Sequence, residues 1–184
     1  MAIVLASQSP RRQELLQRIG VEDFKTLSLD IDESYPEGLS PEDTVRYIAK
    51  KKCDAAAALC APDDLIITAD TMVFLDNDRL GKPRDEEDAL RMLRALSGRG
   101  HTVCTGVSVR RGETSELFAV STRVFFRPAT DDEIRAYIKT GEPMDKAGAY
   151  GVQSRGALFV ERIDGDFFNV MGLPVEQLGL VLAR

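Results

Sequence analysis

The run Leu65-Ile66-Ile67-Thr68-Ala69-Asp70-Thr71-Met72-Val73-Phe74-Leu75 constrains this chain more than any other stretch. Leu65–Ala69 reads as a buried strand that continues through Thr71–Leu75 and turns at Asp76-Asn77-Asp78. One carboxylate, Asp70, interrupts it. Acidic side chains are almost never fully buried without a partner, so Asp70 requires an ion pair, a metal or a catalytic task.

The flanking segments alternate helix and strand. A first strand spans Ile3–Ala6, and a helix runs from Arg11 to Ile19 with Ser9 as N-cap and Pro10 at its first position. A short strand lies within Phe24–Leu29. Ser40-Pro41-Glu42-Asp43 starts a long helix ending near Leu59. Asp85–Leu96 is a second strong helix, with Ala89, Met92, Leu93 and Leu96 on one face and Gly98 just past its end. Strands follow at Thr102–Arg110 and Glu116–Arg127, joined through Arg111-Gly112-Glu113. Thr130-Asp131-Asp132-Glu133 is a capping box for a helix to Lys139. A glycine-rich stretch, Gly148–Gly156, precedes a strand at Leu158–Ile163, and a closing helix starts at Pro174. Hairpins together with helical crossovers predict an α/β fold with a mixed sheet. No repeat, low-complexity tract or linker divides residues 1–184, so a single domain is expected.

Composition narrows the chemistry. No apolar stretch approaches the roughly 20 residues of a membrane helix. The opening segment lacks a basic region ahead of a long apolar run, so a cytoplasmic protein without membrane contact is expected. Cys53, Cys60 and Cys104 show no C-x-x-C spacing and read as reduced thiols. With 30 acids against 24 bases, no nucleic-acid surface is expected. A polyanion would require locally concentrated bases or a metal. There is no G-x-x-x-x-G-K-[S/T] and no G-x-G-x-x-G. His101 is the only histidine, which argues against serine-hydrolase and histidine–metal chemistry; at a strand start it reads as structural.

Several charges sit on the wrong faces. Arg11 and Arg12 occupy a first helical turn, where the helix dipole disfavours cations by about 0.3–1 kcal/mol. Arg12 also shares a face with Leu15, Leu16 and Ile19. On the long helix, Lys52 lies inside the stripe of Val45, Ile48, Ala49, Ala56 and Leu59. One such residue is ordinarily a snorkelling side chain. Two on separate helices point to a shared anion. Gly81-Lys82-Pro83-Arg84 adds a third basic cluster, by itself an ordinary surface loop. Asp70 could pair with Arg12 or Lys52, and Asp32 or Glu33 could add a second carboxylate. Basic side chains, isolated carboxylates and a helix N-terminus suggest a polyphosphate held with a divalent metal.

These residues carry a family resemblance. Leu5-Ala6-Ser7-x-Ser9-Pro10-Arg11-Arg12-x-Glu14-Leu15-Leu16 resembles the opening signature of the Maf family of nucleoside triphosphate pyrophosphatases. So do Ala69-Asp70-Thr71, Leu80-Gly81-Lys82-Pro83, Met92-Leu93-x-x-Leu96-Ser97-Gly98 and His101-x-Val103. The block Glu142-Pro143-Met144-Asp145-Lys146-Ala147-Gly148-Ala149-Tyr150-Gly151-Val152-Gln153 is similar too, as are Ile163-Asp164-Gly165 and Val170-Met171-Gly172-Leu173-Pro174. The similarity spans essentially the whole chain. Thr68 departs from it where many members carry glycine, and Asp32 where a glutamate often stands.

The resemblance implies an elongated mixed sheet with flanking helices and two lobes around a cleft, like the inosine triphosphate pyrophosphatases. It implies hydrolysis of a nucleoside triphosphate to monophosphate and pyrophosphate with Mg²⁺ or Mn²⁺, a house-cleaning role in the nucleotide pool, and a homodimer. It makes Asp70 the proton acceptor and links Arg12, Thr71 and Gln153 to base choice. The A-Y-G-x-Q form is similar to the branch acting on dTTP and UTP, against the alternative of 7-methyl-GTP; modified pyrimidine nucleotides are a nearer rival. Ser7, Arg12, Lys52 and Lys82 are expected to hold the triphosphate, and Glu33 and Asp70 the metal. A nucleotide-binding regulator of septum formation is the rival from another class; it gives no reason for a carboxylate inside an apolar strand.

Overall fold

The fold is described from a computed structural model covering residues 1–184. Strands are β1 (Ile3–Leu5), β2 (Phe24–Thr26), β3 (Leu65–Leu75), β4 (Asp78–Leu80), β5 (Gly100–Arg111), β6 (Thr114–Phe126) and β7 (Val160–Asp164). Helices are α1 (Pro10–Arg18), α2 (Pro41–Ala57), α3 (Glu86–Leu96), α4 (Asp131–Ile138), α5 (Phe167–Met171) and α6 (Val175–Leu182). One seven-stranded sheet runs in the order β2-β1-β3-β5-β6-β7, with β4 paired to β3. It is mixed, as expected: β1 lies parallel to β2 and β3, whereas β4 and β7 run antiparallel to their neighbours. The chain divides into two compact units, residues 1–71, 105–120 and 172–184 against 72–104 and 121–171.

In the first unit β1 registers Ile3, Val4 and Leu5 against Leu65, Ile66 and Ile67 of β3. The chain therefore leaves the sheet at Ser7 close to the Asp70 segment, and α1 starts there. Helix α2 covers the sheet through Ala6, Cys53, Ala56 and Ile66, with Leu27 and Leu29 packed against them. Two contacts set its height. Gly106 of β5 admits the α2 backbone so closely that a Cβ there would lie 2.3 Å from the carbonyl carbon of Val45. The Thr68 hydroxyl, fully buried, donates to the Ala49 carbonyl at 2.7 Å. Thr68 is thus a tie between β3 and α2.

In the second unit α3 and α4 start on side-chain caps. The Asp85 carboxylate accepts the Asp88 N–H, and Thr130 with Glu133 forms the expected capping box. Gly98, at φ +67°, lets the chain turn out of α3.

Several boundaries differ from the sequence expectation. Leu59 lies beyond the end of α2 and is 67% exposed, so it does not belong to the buried stripe. Ser9 occupies the N-cap of α1 without a side-chain cap; the Ser7 hydroxyl accepts the Ser9 N–H instead, at 3.2 Å. The glycine-rich stretch contains short 3₁₀ turns, Arg155–Phe159 among them, which delay β7 to Val160. No helix is long and apolar enough to cross a membrane.

Candidate active site

The interruption in β3 is where charge collects. Asp70 is 6% exposed. Its Oδ1 accepts Lys52 Nζ at 2.7 Å, and the same ammonium reaches Glu33 Oε1 at 2.9 Å. Of the two partners considered for Asp70, Lys52 is the one in contact. Asp70 Oδ2 is buried and has no protein hydrogen-bond partner. Leaving a buried charged oxygen unsatisfied costs upwards of about 1–3 kcal/mol, so that lone pair is directed at something other than protein. Asp32 is not part of the cluster. Its carboxylate, 73% exposed, holds the N–H and hydroxyl of Ser34 and Lys51, contacts that together lower its pKa.

Arg12 has a different role from a simple phosphate fork. Its Nε donates to the Gly172 carbonyl (2.8 Å), Nη2 to Thr71 Oγ1 (3.0 Å) and Nη1 to Ser7 Oγ (3.3 Å). All three acceptors are neutral. Burial pulls the guanidinium below its ordinary pKa and the charge of Asp70 opposes that pull. Of five N–H donors, one on each terminal nitrogen is left over. A desolvated cation with two spare donors and only neutral hydrogen-bond partners is suited to an anion.

Thr71, which follows Asp70, completes this knot. Its hydroxyl accepts from Arg12 and lies 2.9 Å from Thr105 Oγ1 and 3.4 Å from the Gly172 carbonyl. Ser7, Arg12, Lys52, Glu33, Asp70 and Thr71 therefore all belong to the first unit and are joined by direct contacts in two groups, one around Lys52 and one around Arg12. The Ser7 N–H is engaged by the Leu5 carbonyl and its hydroxyl oxygen by Ser9 and Arg12, which leaves the hydroxyl hydrogen and the first N–H groups of α1 for a ligand. Lys82 and Gln153 belong to the second unit and are exposed.

With the geometry in view, the relatives are informative. The family model of the Maf-like proteins matches residues 2–184. The chain belongs to the Maf family. A dTTP/UTP pyrophosphatase of Bacillus velezensis is 49% identical, covering 94% of this chain and 90% of that protein. Another, of Geobacillus sp., is also 49% identical, over 95% and 93% of the two chains. One of Bacteroides thetaiotaomicron is 46% identical, over 96% and 92%. Among solved structures, the Ham1 protein of Staphylococcus aureus superposes with TM-score 0.55 at 15% identity, covering 100% and 98% of the two chains. The HAM1 protein of Coxiella burnetii gives 0.53 at 15%, covering 100% and 99%. These two share the fold.

Two features of this Maf protein escape sequence reasoning. Gly172, at φ +121°, offers its carbonyl to Arg12 from 160 positions away, and no local pattern links the two. Thr105 reads as one more strand residue, yet it is fully buried beside Thr71. His101 is structural, as expected. It is 2% exposed, its Nε2 is 2.7 Å from Tyr150 OH, and it packs edge-on against Phe126.

Proposed function

We propose that this Maf protein hydrolyses nucleoside triphosphates to monophosphate and pyrophosphate, with dTTP and UTP as its preferred substrates and nucleotide-pool cleaning as its role. The observation that carries this reading is Asp70, whose Oδ1 is held by Lys52 while its buried Oδ2 has no protein partner. Relatives at 46–49% identity over nearly the full length, all named dTTP/UTP pyrophosphatases, support the substrate class. The family model's near-complete span supports treating residues 1–184 as one functional domain, folded from two units.

In this reading Arg12, Lys52 and Lys82, with Ser7 and the N–H groups at the start of α1, bind the triphosphate. Glu33 and Asp70 fit a divalent cation. No group of three or more His, Cys, Asp or Glu side chains gathers in the structure, but Mg²⁺ or Mn²⁺ bound with a polyphosphate needs only one or two carboxylates. When bound, such an ion would neutralise charge on the departing pyrophosphate and acidify the attacking water. Asp70 Oδ2 takes a proton from the attacking water as the water oxygen bonds to the α-phosphorus and the α–β bridging bond breaks, its electron pair leaving with pyrophosphate. Lys52 keeps Asp70 fixed through the other oxygen. Arg12, Thr71 and Gln153 choose the base: the Gln153 amide can accept from N3–H and donate to O4 of uracil or thymine.

The test is product analysis on dTTP, UTP, CTP, GTP and 7-methyl-GTP, with Mg²⁺ or Mn²⁺ and with EDTA. Monophosphate and pyrophosphate from dTTP and UTP, abolished by EDTA, are expected. Asp70→Asn should lower turnover about 10²–10⁴-fold. Orthophosphate and a diphosphate would place attack at the terminal phosphate and end this mechanism. Tight nucleotide binding without turnover would favour the regulatory reading.

A further inference from the structure

The loop that carries Gln153 is held from beneath by one carboxylate. Glu142 Oε1 accepts hydrogen bonds from Tyr137 OH (2.7 Å), Ser154 Oγ (2.7 Å) and the Gly156 N–H (3.2 Å). Its Oε2 accepts the Arg155 N–H at 3.3 Å. Tyr137 OH in turn accepts the Gly151 N–H at 3.2 Å. Residues on both sides of Gln153 are therefore tied to Glu142, either directly or through Tyr137. Gln153 itself is exposed.

Packing tightens the same ring. A Cβ on Gly156 would lie 2.5 Å from the Gly151 carbonyl oxygen and 2.9 Å from Tyr137 OH. One on Gly151 would meet Lys146 Cε at 2.8 Å, and Lys146 Nζ donates to the Glu142 carbonyl at 2.8 Å. Partial burial pushes the Glu142 carboxyl up, but donors from Ser154, Tyr137, Gly156 and Arg155 together bring it below its ordinary range. It is an anion at neutral pH, and its lone pairs are turned inward to the chain.

We propose that Glu142 is a specificity-positioning residue: by binding Tyr137, Ser154, Arg155 and Gly156 it fixes the backbone from which Gln153 reads the base. This rests on Gln153 being a base-selecting residue. Only a carboxylate serves all four donors. A glutamine would set its NH₂ against either the Arg155 N–H or the Gly156 N–H, backbone donors that, unlike the two hydroxyls, cannot turn to accept. A loop loosened this way lets the Gln153 amide rotate, and a flipped amide suits cytosine as well as uracil or thymine.

The experiment measures kcat/KM for dTTP and CTP in the unmodified protein, Gln153→Ala, Glu142→Gln and the double variant, with thermal melting alongside. Gln153→Ala should lower the dTTP/CTP ratio about 5–10-fold, the worth of one or two neutral hydrogen bonds. Glu142→Gln should lower it about 3-fold or more. In the double variant the Glu142 change should add almost nothing to the ratio, because it acts through Gln153. A purely structural role would slow both substrates equally and leave the ratio in place. Should Gln153→Ala leave the ratio unchanged, the base-reading assignment itself fails. A ratio that falls in Gln153→Ala but not in Glu142→Gln, or two effects that multiply in full, overturns the positioning role alone. If Glu142→Gln melts below assay temperature, Ser154→Ala removes one donor and keeps three. It should shift the ratio about 2-fold in the same direction, and no shift overturns the role.

Discussion

The candidate recognition residues of the two units are built in opposite ways. Around Asp70 the side chains that matter hold one another: Lys52 joins Asp70 to Glu33, and Arg12 joins Thr71, Ser7 and Gly172. In the second unit Gln153 is an exposed side chain on a loop whose backbone is tied down by Glu142 and Tyr137. The difference follows from solvation. A carboxylate and a guanidinium taken out of water need fixed partners, or the desolvation cost is left uncompensated. An exposed amide carries no such cost, and a rigid backbone limits the entropy lost on binding to about 0.5–1.5 kcal/mol for that one side chain.

The largest effect on stability should come from opening the Asp70 knot. Lys52→Ala leaves both Asp70 oxygens unpartnered in a nearly buried position. We expect a loss of about 2–3 kcal/mol, below the roughly 3–5 of a fully buried pair because Lys52 is 15% exposed. In a chain of this size that lowers Tm by about 5–10 °C. Gln153→Ala should leave Tm within about 2 °C. Equal melting of the two variants would break the contrast. Gly172→Ala comes next. An added Cβ would meet nothing nearer than 3.7 Å, so the cost is the backbone at φ +121°, about 1–3 kcal/mol. Relief of that strain would move the carbonyl that Arg12 Nε holds. A lower urea midpoint with a raised KM is expected; an unchanged KM would mean that Arg12 does not depend on Gly172.

The same contrast explains what was legible in the sequence. Ser40, Asp85 and Thr130 announce helix starts because each cap is a local side-chain contact. Arg12 and Lys52 stand out because a helix stripe makes a misplaced charge visible. The turns of residues 142–159 and the five-residue α5 are too short for any periodicity to register, and Ala149 at φ +63° is a conformation its residue type does not advertise. The Gly172 contact of Arg12 and the Glu142 ring were invisible for another reason. Arg12 meets a backbone carbonyl, and Glu142 meets two backbone N–H groups besides the hydroxyls of Tyr137 and Ser154; any residue can supply a backbone N–H or carbonyl.

Acid should test the second unit's loop from its other end. Tyr150, just before Gly151, is anchored by a neutral His101, whose imidazole burial pushes down to about 4, with the charge of Arg123 adding to the shift. An unfolded histidine takes up its proton below about pH 6.5, whereas the folded one stays neutral until about pH 4. The unfolded state binds more protons in that window, so this contribution to stability is present above pH 6.5 and lost as pH falls to 4. The full difference is about 3 kcal/mol. His101→Phe leaves the Tyr150 hydroxyl without this partner and should be less stable at pH 7.5, yet with a flatter decline between 6.5 and 4. Urea unfolding at pH 7.5, 5.5 and 4.5 gives both slopes, and parallel curves would remove His101 from the account.

The smallest effect marks the edge of the Asp70 knot. Asp32 and Glu33 are adjacent acids, but the chain turns them to different partners. Asp32 holds Ser34 and Lys51 at the surface, whereas Glu33 shares Lys52 with Asp70. Asp32→Asn should therefore leave turnover within about twofold and melting unchanged, as for an ordinary surface substitution. Glu33→Gln keeps an oxygen for Lys52 but removes a charge, so the metal concentration for half-maximal activity should rise at least about tenfold. Metal titrations of the two variants side by side decide the matter. If Asp32→Asn raised the requirement and Glu33→Gln did not, the second carboxylate would be Asp32 and the shared lysine would only brace Asp70. In that case Glu33 would belong with Gly172, a residue that holds a recognition group in place.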